Sequence, residues 1–213
     1  MSPMSFPTII RNARDDESET LGHLHAAAFA TDPMIQLMCS QVDLDVLLQW
    51  RSSEASVKTG NDTVDDIERI NIKQIIGFIS YTKYSRADPP LPKIAEQYPK
   101  GFNVKEFDKQ GIPKLSWLRG LTEKYDESLY IREFVIAPSY QSQGFGKALM
   151  LHIINHAKEQ GLTLALTASS GKPPFYAKFG FEEVVPPVML VNGTVESINM
   201  MFLELFKPSA ENE

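Results

Sequence analysis

Residues Leu129 to Ala148, LYIREFVIAPSYQSQGFGKA, decide the reading of the chain. Tyr130, Ile131, Phe134, Val135 and Ile136 are residue types that suit a pleated, half-buried surface, so Leu129 to Ala137 reads as a strand. Pro138 cannot donate a ladder hydrogen bond and ends it. A polar turn follows, Gln141-Ser142-Gln143-Gly144-Phe145-Gly146, and runs into a helix that starts near Gly144. The first N–H groups of a helix have no internal partner and carry the positive end of its dipole. Two glycines let an anion come close to that backbone, and a pyrophosphate is the natural guest.

The spacing is neither of the common nucleotide signatures. Lys147 follows Gly146, but Ala148 stands where a P-loop needs a magnesium-binding Ser or Thr, and GxGxxG is absent from the turn. Gln-x-x-Gly-x-Gly after a strand that ends Ile136-Ala137-Pro138 resembles the signature of the GNAT superfamily, the acetyl-CoA-dependent N-acetyltransferases. A second element agrees with it. Tyr176-x-x-x-Gly180-Phe181, after the loop Ala168 to Pro174, is similar to the GNAT segment that closes the cofactor groove.

The resemblance implies an α/β (α+β) GNAT fold, a mixed central sheet of about six or seven strands flanked by helices. It spans roughly residues 8 to 206 of a single domain. It also implies direct acetyl transfer from acetyl-CoA to a primary amine. By the same resemblance, the backbone of Phe134, Val135 and Ile136 pairs with pantetheine. Gln141, Ser142, Gln143, Gly144, Phe145, Gly146, Lys147 and Ala148 hold the pyrophosphate. Tyr176 protonates the departing thiolate, as a hydroxyl of pKa roughly 10 can. The amine must lose a proton, and Glu133 is the carboxylate on the central strand; whether it faces the site turns on a register of one residue. Many relatives carry an Asn before the tyrosine helix, where this chain has Ala168, Ser169 and Ser170; Ser169 is the substitute contact.

Composition bounds the alternatives. The 213 residues suit one compact domain, and 43% hydrophobic with 23% charged residues is a globular composition. A net charge of -6 argues against general nucleic-acid or anionic-membrane binding. No stretch approaches the roughly 18 apolar residues of a spanning helix, and no secretory signal is visible, so cytosol is the expected compartment. A lone cysteine, Cys39, excludes an intrachain disulfide. His23 and His25 are two apart and point to different faces, which is wrong for helical metal ligands. They read as surface or half-buried helix residues, and no metal is expected.

Around the core motifs the sequence predicts a strand at Thr8 to Arg11, with Asp15, Asp16 and Ser18 as caps for a helix ending at Asp32-Pro33. Met34 to Trp50 reads as an apolar helical region, Arg51 to Arg69 as a polar stretch containing a turn or loop at Gly60-Asn61-Asp62, and Ile70 to Tyr84 as a strand. Within that strand Gly77 marks a bulge or close approach. Ser85 to Asp126 is an insertion of about forty residues, rich in Pro and Gly, that reads as a long loop. Its aromatics argue that it packs, either as a lid over the acceptor or as a structural elaboration or homodimer contact. Gly144 to Gln160 has a single apolar stripe ending at Gly161, with His152 and His156 on a polar face. Leu162 to Thr167 is a buried strand, and Asn192-Gly193 turns a closing hairpin. The acidic balance favours a cationic acceptor, with a small-molecule amine preferred over a protein. The rival readings are a GNAT-fold acyl-CoA binder without turnover, a lysine or N-terminal acetyltransferase, and transfer to a hydroxyl or of a longer acyl chain.

Overall fold

The computed structural model describes residues 8–39, 41–42, 62–69, 74–90, 98–184, 188–191 and 194–205. In chain order these form β1 (Thr8–Asn12), α1 (Ser18–Phe29), α2 (Pro33–Cys39), β2 (Asp62–Arg69), β3 (Gln74–Ser85) and α3 (Val104–Tyr125). Then come β4 (Glu127–Ile136), α4 (Phe145–Gln160), β5 (Thr163–Ser169), α5 (Pro173–Ala177), β6 (Glu182–Glu183), β7 (Val188–Val191) and β8 (Thr194–Leu203). The strands join in the order β1-β2-β3-β4-β5-β8-β6, with β7 paired to β8. Among these pairs, β4 and β5 run parallel and the others antiparallel. This is the mixed, helix-flanked sheet that the sequence predicts.

The two faces of the sheet have different covers. On one, Leu149, Met150, Ile153, Ile154 and Ala157 of α4, all 5% exposed or less, pack on Ile76, Ile131 and Ile136. Burial of this stripe at roughly 25 cal/mol per Å² is what docks the helix. Gly161 ends it in a left-handed conformation, φ 69°. On the other face, Leu21 of α1 meets Ile75, Phe78 and Val135, while Leu118 and Leu121 of α3 meet Tyr130 and Ala165. Gly77 lies tight against β4: a Cβ there would fall 2.5 Å from the Val135 carbonyl oxygen. A bulge in the β2–β3 register sits beside it.

Several expectations are corrected. Asp62 to Arg69 is strand rather than loop; four acids hide its pattern, but β1 and β3 bracket it with backbone ladders on both sides. The insertion is largely helix, not loop. Asn103 accepts from Glu106 N at 3.2 Å and starts α3, which runs 22 residues through Gly111, Pro113 and Gly120. Packing of Trp117, Leu118, Leu121 and Tyr125 overrides those breakers. No side chain caps α1. Glu17 instead accepts from Arg14 N at 2.7 Å and from Arg11 of β1 at 2.6 and 3.0 Å, tying the helix start to the sheet edge. Within Met34 to Trp50 the described helix stops at Cys39; residues 43–50, like Asn192-Gly193 and the polar stretch 51–61, lie outside the described residues.

Candidate active site

Strand β4 organises the site by losing one neighbour halfway along. It pairs with β3 from Glu127↔Ser85 to Ile136↔Gly77, but with β5 only from Ser128↔Thr163 to Ile131↔Leu166. Beyond that rung, Thr167 to Ser169 of β5 pair with β8, and no described strand pairs with Arg132 to Ile136 on the β5 side. A bulge falls at the parting: Tyr81 opposes Ile131 and Ser80 opposes Glu133, so Arg132 is the extra residue. A bulge bends and twists a strand and re-aims the side chains after it. The result is a cleft beside Phe134 to Ile136, which on this side meet no described strand. Tyr130 hydroxyl and Thr167 Oγ1, 3.0 Å apart, tie the two strands together where they part.

The turn after β4 closes one end of this cleft. Pro138–Tyr140 form a 3-10 turn, Ser142 takes φ 60° and Gly144 takes φ 91° as the N-cap of α4, which no side chain caps. Gln141 Nε2 donates to Ile136 O at 3.0 Å and Gln143 Nε2 to Ser139 O at 2.9 Å. Those side chains therefore brace the turn, leaving the backbone N–H groups and the exposed Lys147 to meet an anion. Ala148 N–H already bonds Gly144 O at 3.0 Å, which limits the open donors of the helix start to the residues before it. The two glycines do different work. A Cβ on Gly144 would meet no protein atom within 4 Å, whereas one on Gly146 would touch Phe134, Ile136 and Phe175 at 3.7 Å. Gly144 turns the chain at the open mouth; Gly146 lies against the sheet.

Tyr176 lies on the same side. Its ring packs edge-on against Phe134 (6.2 Å between centroids), Phe175 (5.2 Å) and Phe181 (6.0 Å). Gly180, φ 91°, turns the chain back so that Phe181 reaches the core. Burial, with the unfavourable field of the Tyr130 phenol beside it, pushes the Tyr176 hydroxyl up to about 12. It keeps its proton at neutral pH and can act as an acid or hydrogen-bond donor, not as a base.

Glu133 faces the other way, toward α1. Its Oε1 lies 3.2 Å from Nε2 of His25, a residue that is 5% exposed and stacked on Phe29 at 4.6 Å. This corrects the reading of His25 as an ordinary helix histidine; only His23 is exposed, 3.8 Å from Glu19. The signal was in the sequence: Leu21, His25 and Phe29 fall at i, i+4 and i+8 on one stripe, and a polar group on a buried stripe needs a partner. Along this face of β4, Tyr130 is covered by α3 and Val135 by α1, and Glu133 lies between those two residues on the strand. Ser169 Oγ donates to Asp32 Oδ2 at 3.3 Å, and Asp32 Oδ1 caps α2 by accepting from Ile35 N at 3.1 Å. The Ser169 hydroxyl thus holds the α1–α2 connection against the end of β5. Beyond it, Tyr98, Phe102 and Phe107 of the insertion pack on Met38 and Cys39 of α2, and Asn103 N donates to Met38 O at 2.9 Å. His156, expected on a polar face, is half-buried 3.3 Å from the Tyr81 hydroxyl on the α4 side, away from the cleft.

Among the described residues, no group of three or more His, Cys, Asp or Glu is placed to hold a metal ion, and no helix is long and apolar enough to cross a membrane.

The family described as acetyltransferase (GNAT) domain matches residues 116–201, the span from the second half of α3 through β8. No curated protein matches the sequence. Among solved structures, the ribosomal-protein-S18-alanine N-acetyltransferase from Escherichia coli superposes with a TM-score of 0.58 at 15% identity, covering 97% of this chain and 99% of its own. Arabidopsis thaliana NAA60 in complex with acetyl-CoA gives 0.57 at 13% identity, covering 92% and 98%. A spermidine N-acetyltransferase chimera from Vibrio cholerae and hSSAT gives 0.55 at 14% identity, covering 92% and 94%. At these identities the likeness is one of fold.

Proposed function

We propose that the chain, whose residues 116–201 match the acetyltransferase (GNAT) domain family and whose fold superposes on that of N-acetyltransferases, moves the acetyl group of acetyl-CoA directly to a primary amine of a small molecule. The observation that carries this is the cleft where β4 leaves β5, with Tyr176 on one side of β4 and Glu133 on the other. The pyrophosphate rests on the N-terminus of α4, where Gly144 leaves open space and the helix dipole is positive. Pantetheine runs along the free edge of Phe134 to Ile136, whose N–H groups polarise the thioester carbonyl. The Arabidopsis neighbour's complex with acetyl-CoA supports this choice of donor.

The amine enters on the Glu133 side as an ammonium and passes one proton to the carboxylate. Its lone pair then attacks the thioester carbon to give a tetrahedral oxyanion. Collapse breaks the carbon–sulfur bond and forms the amide as the nitrogen releases its second proton to solvent; the thiolate takes a hydrogen bond from Tyr176, or a proton that Tyr176 then regains from solvent. Glu133 meets His25 of α1 on the face that α3 also covers, and α2 packs on the insertion; this covered face favours a small amine over a protein chain. Neighbours named for spermidine and for a ribosomal protein show that the fold alone does not select the acceptor.

The test is CoA-thiol release from acetyl-CoA against a panel containing polyamines, amino sugars, amino acids and short peptides. Release with small amines alone supports the reading. Release with peptides alone would replace it by N-terminal or lysine acetylation. No release while calorimetry still shows acetyl-CoA bound would replace it by a binder without turnover.

A further inference from the structure

We propose that the acceptor is a free amino acid whose carboxylate is held by Lys114 and by the hydroxyl pair of Tyr130 and Thr167; this rests on the transferase reading above. Lys114 belongs to α3, and its Nζ lies over the Tyr130 ring, 5.6 Å from the centroid. It is half-buried, and no carboxylate of the described residues pairs with it. An aromatic face attracts an ammonium without neutralising it, so the charge stays available to an anion. The Tyr130 hydroxyl and Thr167 Oγ1, 3.0 Å apart, hold two hydrogens between them, and their mutual bond uses one. The second O–H can donate beside the lysine.

The fold sets this cation at the acceptor side of the cleft. α3 ends at Tyr125, β4 starts at Glu127, and Leu118 and Leu121 lie on Tyr130 and Ala165, so helix and strand run antiparallel. Lys114 is about 16 Å back from Tyr125 along the helix axis, a distance that about five strand residues span, which brings it level with the bulge at Arg132. Thr167 shares a face of β5 with Ala165, the face that α3 covers, and β4 leaves β5 after the Ile131↔Leu166 rung. The gap therefore opens beside Tyr130, Thr167 and Lys114, with Glu133 on the same face of β4. The Tyr130 phenol also acts on the Tyr176 hydroxyl, so this corner adjoins the place of the departing thiolate. A zwitterion fits these charges: its ammonium goes to the Glu133 side and its carboxylate to Lys114. The negative charge of Glu133, whatever else engages its oxygens, is what orients the amine end. One ammonium and one hydroxyl hydrogen match a singly charged carboxylate, whereas a phosphate calls for more donors. A diamine would bring a second cation against Lys114, and like charges in one site repel.

The experiment measures thiol release from acetyl-CoA with free amino acids, each beside its amide and its decarboxylated amine; for lysine these are lysinamide and cadaverine. Wild type should use the best amino acid with a kcat/KM about tenfold to a hundredfold above those of its two analogues. Lys114→Met should bring that ratio to within about threefold of one, through the acceptor KM rather than the acetyl-CoA KM. Lys114→Arg should keep most of the ratio, and Thr167→Val should lower it by a smaller factor. A lysine with a structural role alone would change the rates with all three acceptors alike. Equal use of the three by wild type would overturn the assignment, as would a Lys114→Met variant that keeps the wild-type ratio. Should Lys114→Met fail to fold, the wild-type ratio and that of Lys114→Arg decide by the same criteria. Thiol release with amines that lack a carboxylate, and none with amino acids, would overturn this assignment and leave the transferase reading standing. No release with any amine would overturn the transferase reading, and this assignment with it.

Discussion

The two sides of β4 are built by different means. On the α4 side, one continuous stretch from Phe134 to Ala148 supplies the free strand edge, the turn and the helix start, and Tyr176 joins it from one later segment. On the α1 side, Glu133 meets His25 from more than a hundred residues earlier, and the surrounding walls come from α1, α2 and an insertion. On the proposed function the first side handles a donor whose pyrophosphate and thioester make the same demands in every reaction, and a local motif can encode them. The second would handle the acceptor, with parts brought together by tertiary packing. That reading writes donor recognition in a contiguous segment and acceptor chemistry in long-range contacts.

Substitutions separate the two sides. Glu133→Gln should give the largest loss, a fall in kcat of about 10²–10⁴-fold with unchanged KM for acetyl-CoA, measured by thiol release. Tyr176→Phe should lower kcat by about 10²-fold at the lower end of the same range, and a comparable fall in acetyl-CoA affinity would break the division of roles. Gly144→Val should act on the other side. Its left-handed backbone costs about 1–2 kcal/mol for a residue with a Cβ, and the side chain enters space where no protein atom stands, so acetyl-CoA KM should rise more than kcat falls. Gly77→Ala disturbs neither side directly. It forces a Cβ against the Val135 carbonyl, and about 1–3 kcal/mol should be lost in denaturant melts.

A smaller effect concerns pH. Folding raises the Tyr176 hydroxyl from 10.0 to about 12, so between those values the unfolded chain has lost a proton that the native chain keeps. Stability from this group is therefore complete below about pH 10 and falls as pH rises toward 12. Between pH 9 and 11, chemical denaturation should show a shallower decline in Tyr176→Phe than in wild type.

How much of this was legible in the sequence follows the same division. The Ile136-Ala137-Pro138 ending, Gln141 to Gly146 and Tyr176 to Phe181 pointed to the fold and to the turn that enters α4, because each depends on backbone constraints that glycine and proline report directly. What the motif hid was the use of each residue: the Gln141 and Gln143 side chains bind their own turn, and Gly146 packs on the sheet. The acceptor side was less legible. Pro113 and the glycines of the insertion argued for a loop, although Trp117, Leu118, Leu121 and Tyr125 recur at helical spacing and outweigh them. Which face Glu133 takes depended on a bulge at Arg132, which no local pattern reveals, and His25 gained meaning only once its partner was placed.

The most direct test of the division is a calorimetric titration of acetyl-CoA into Glu133→Gln and Gly144→Val beside the wild type. The account predicts that Glu133→Gln binds acetyl-CoA as the wild type does, while Gly144→Val binds it about tenfold more weakly or worse, a difference of about 1.4 kcal/mol. Weakened binding in Glu133→Gln together with intact binding in Gly144→Val would contradict it.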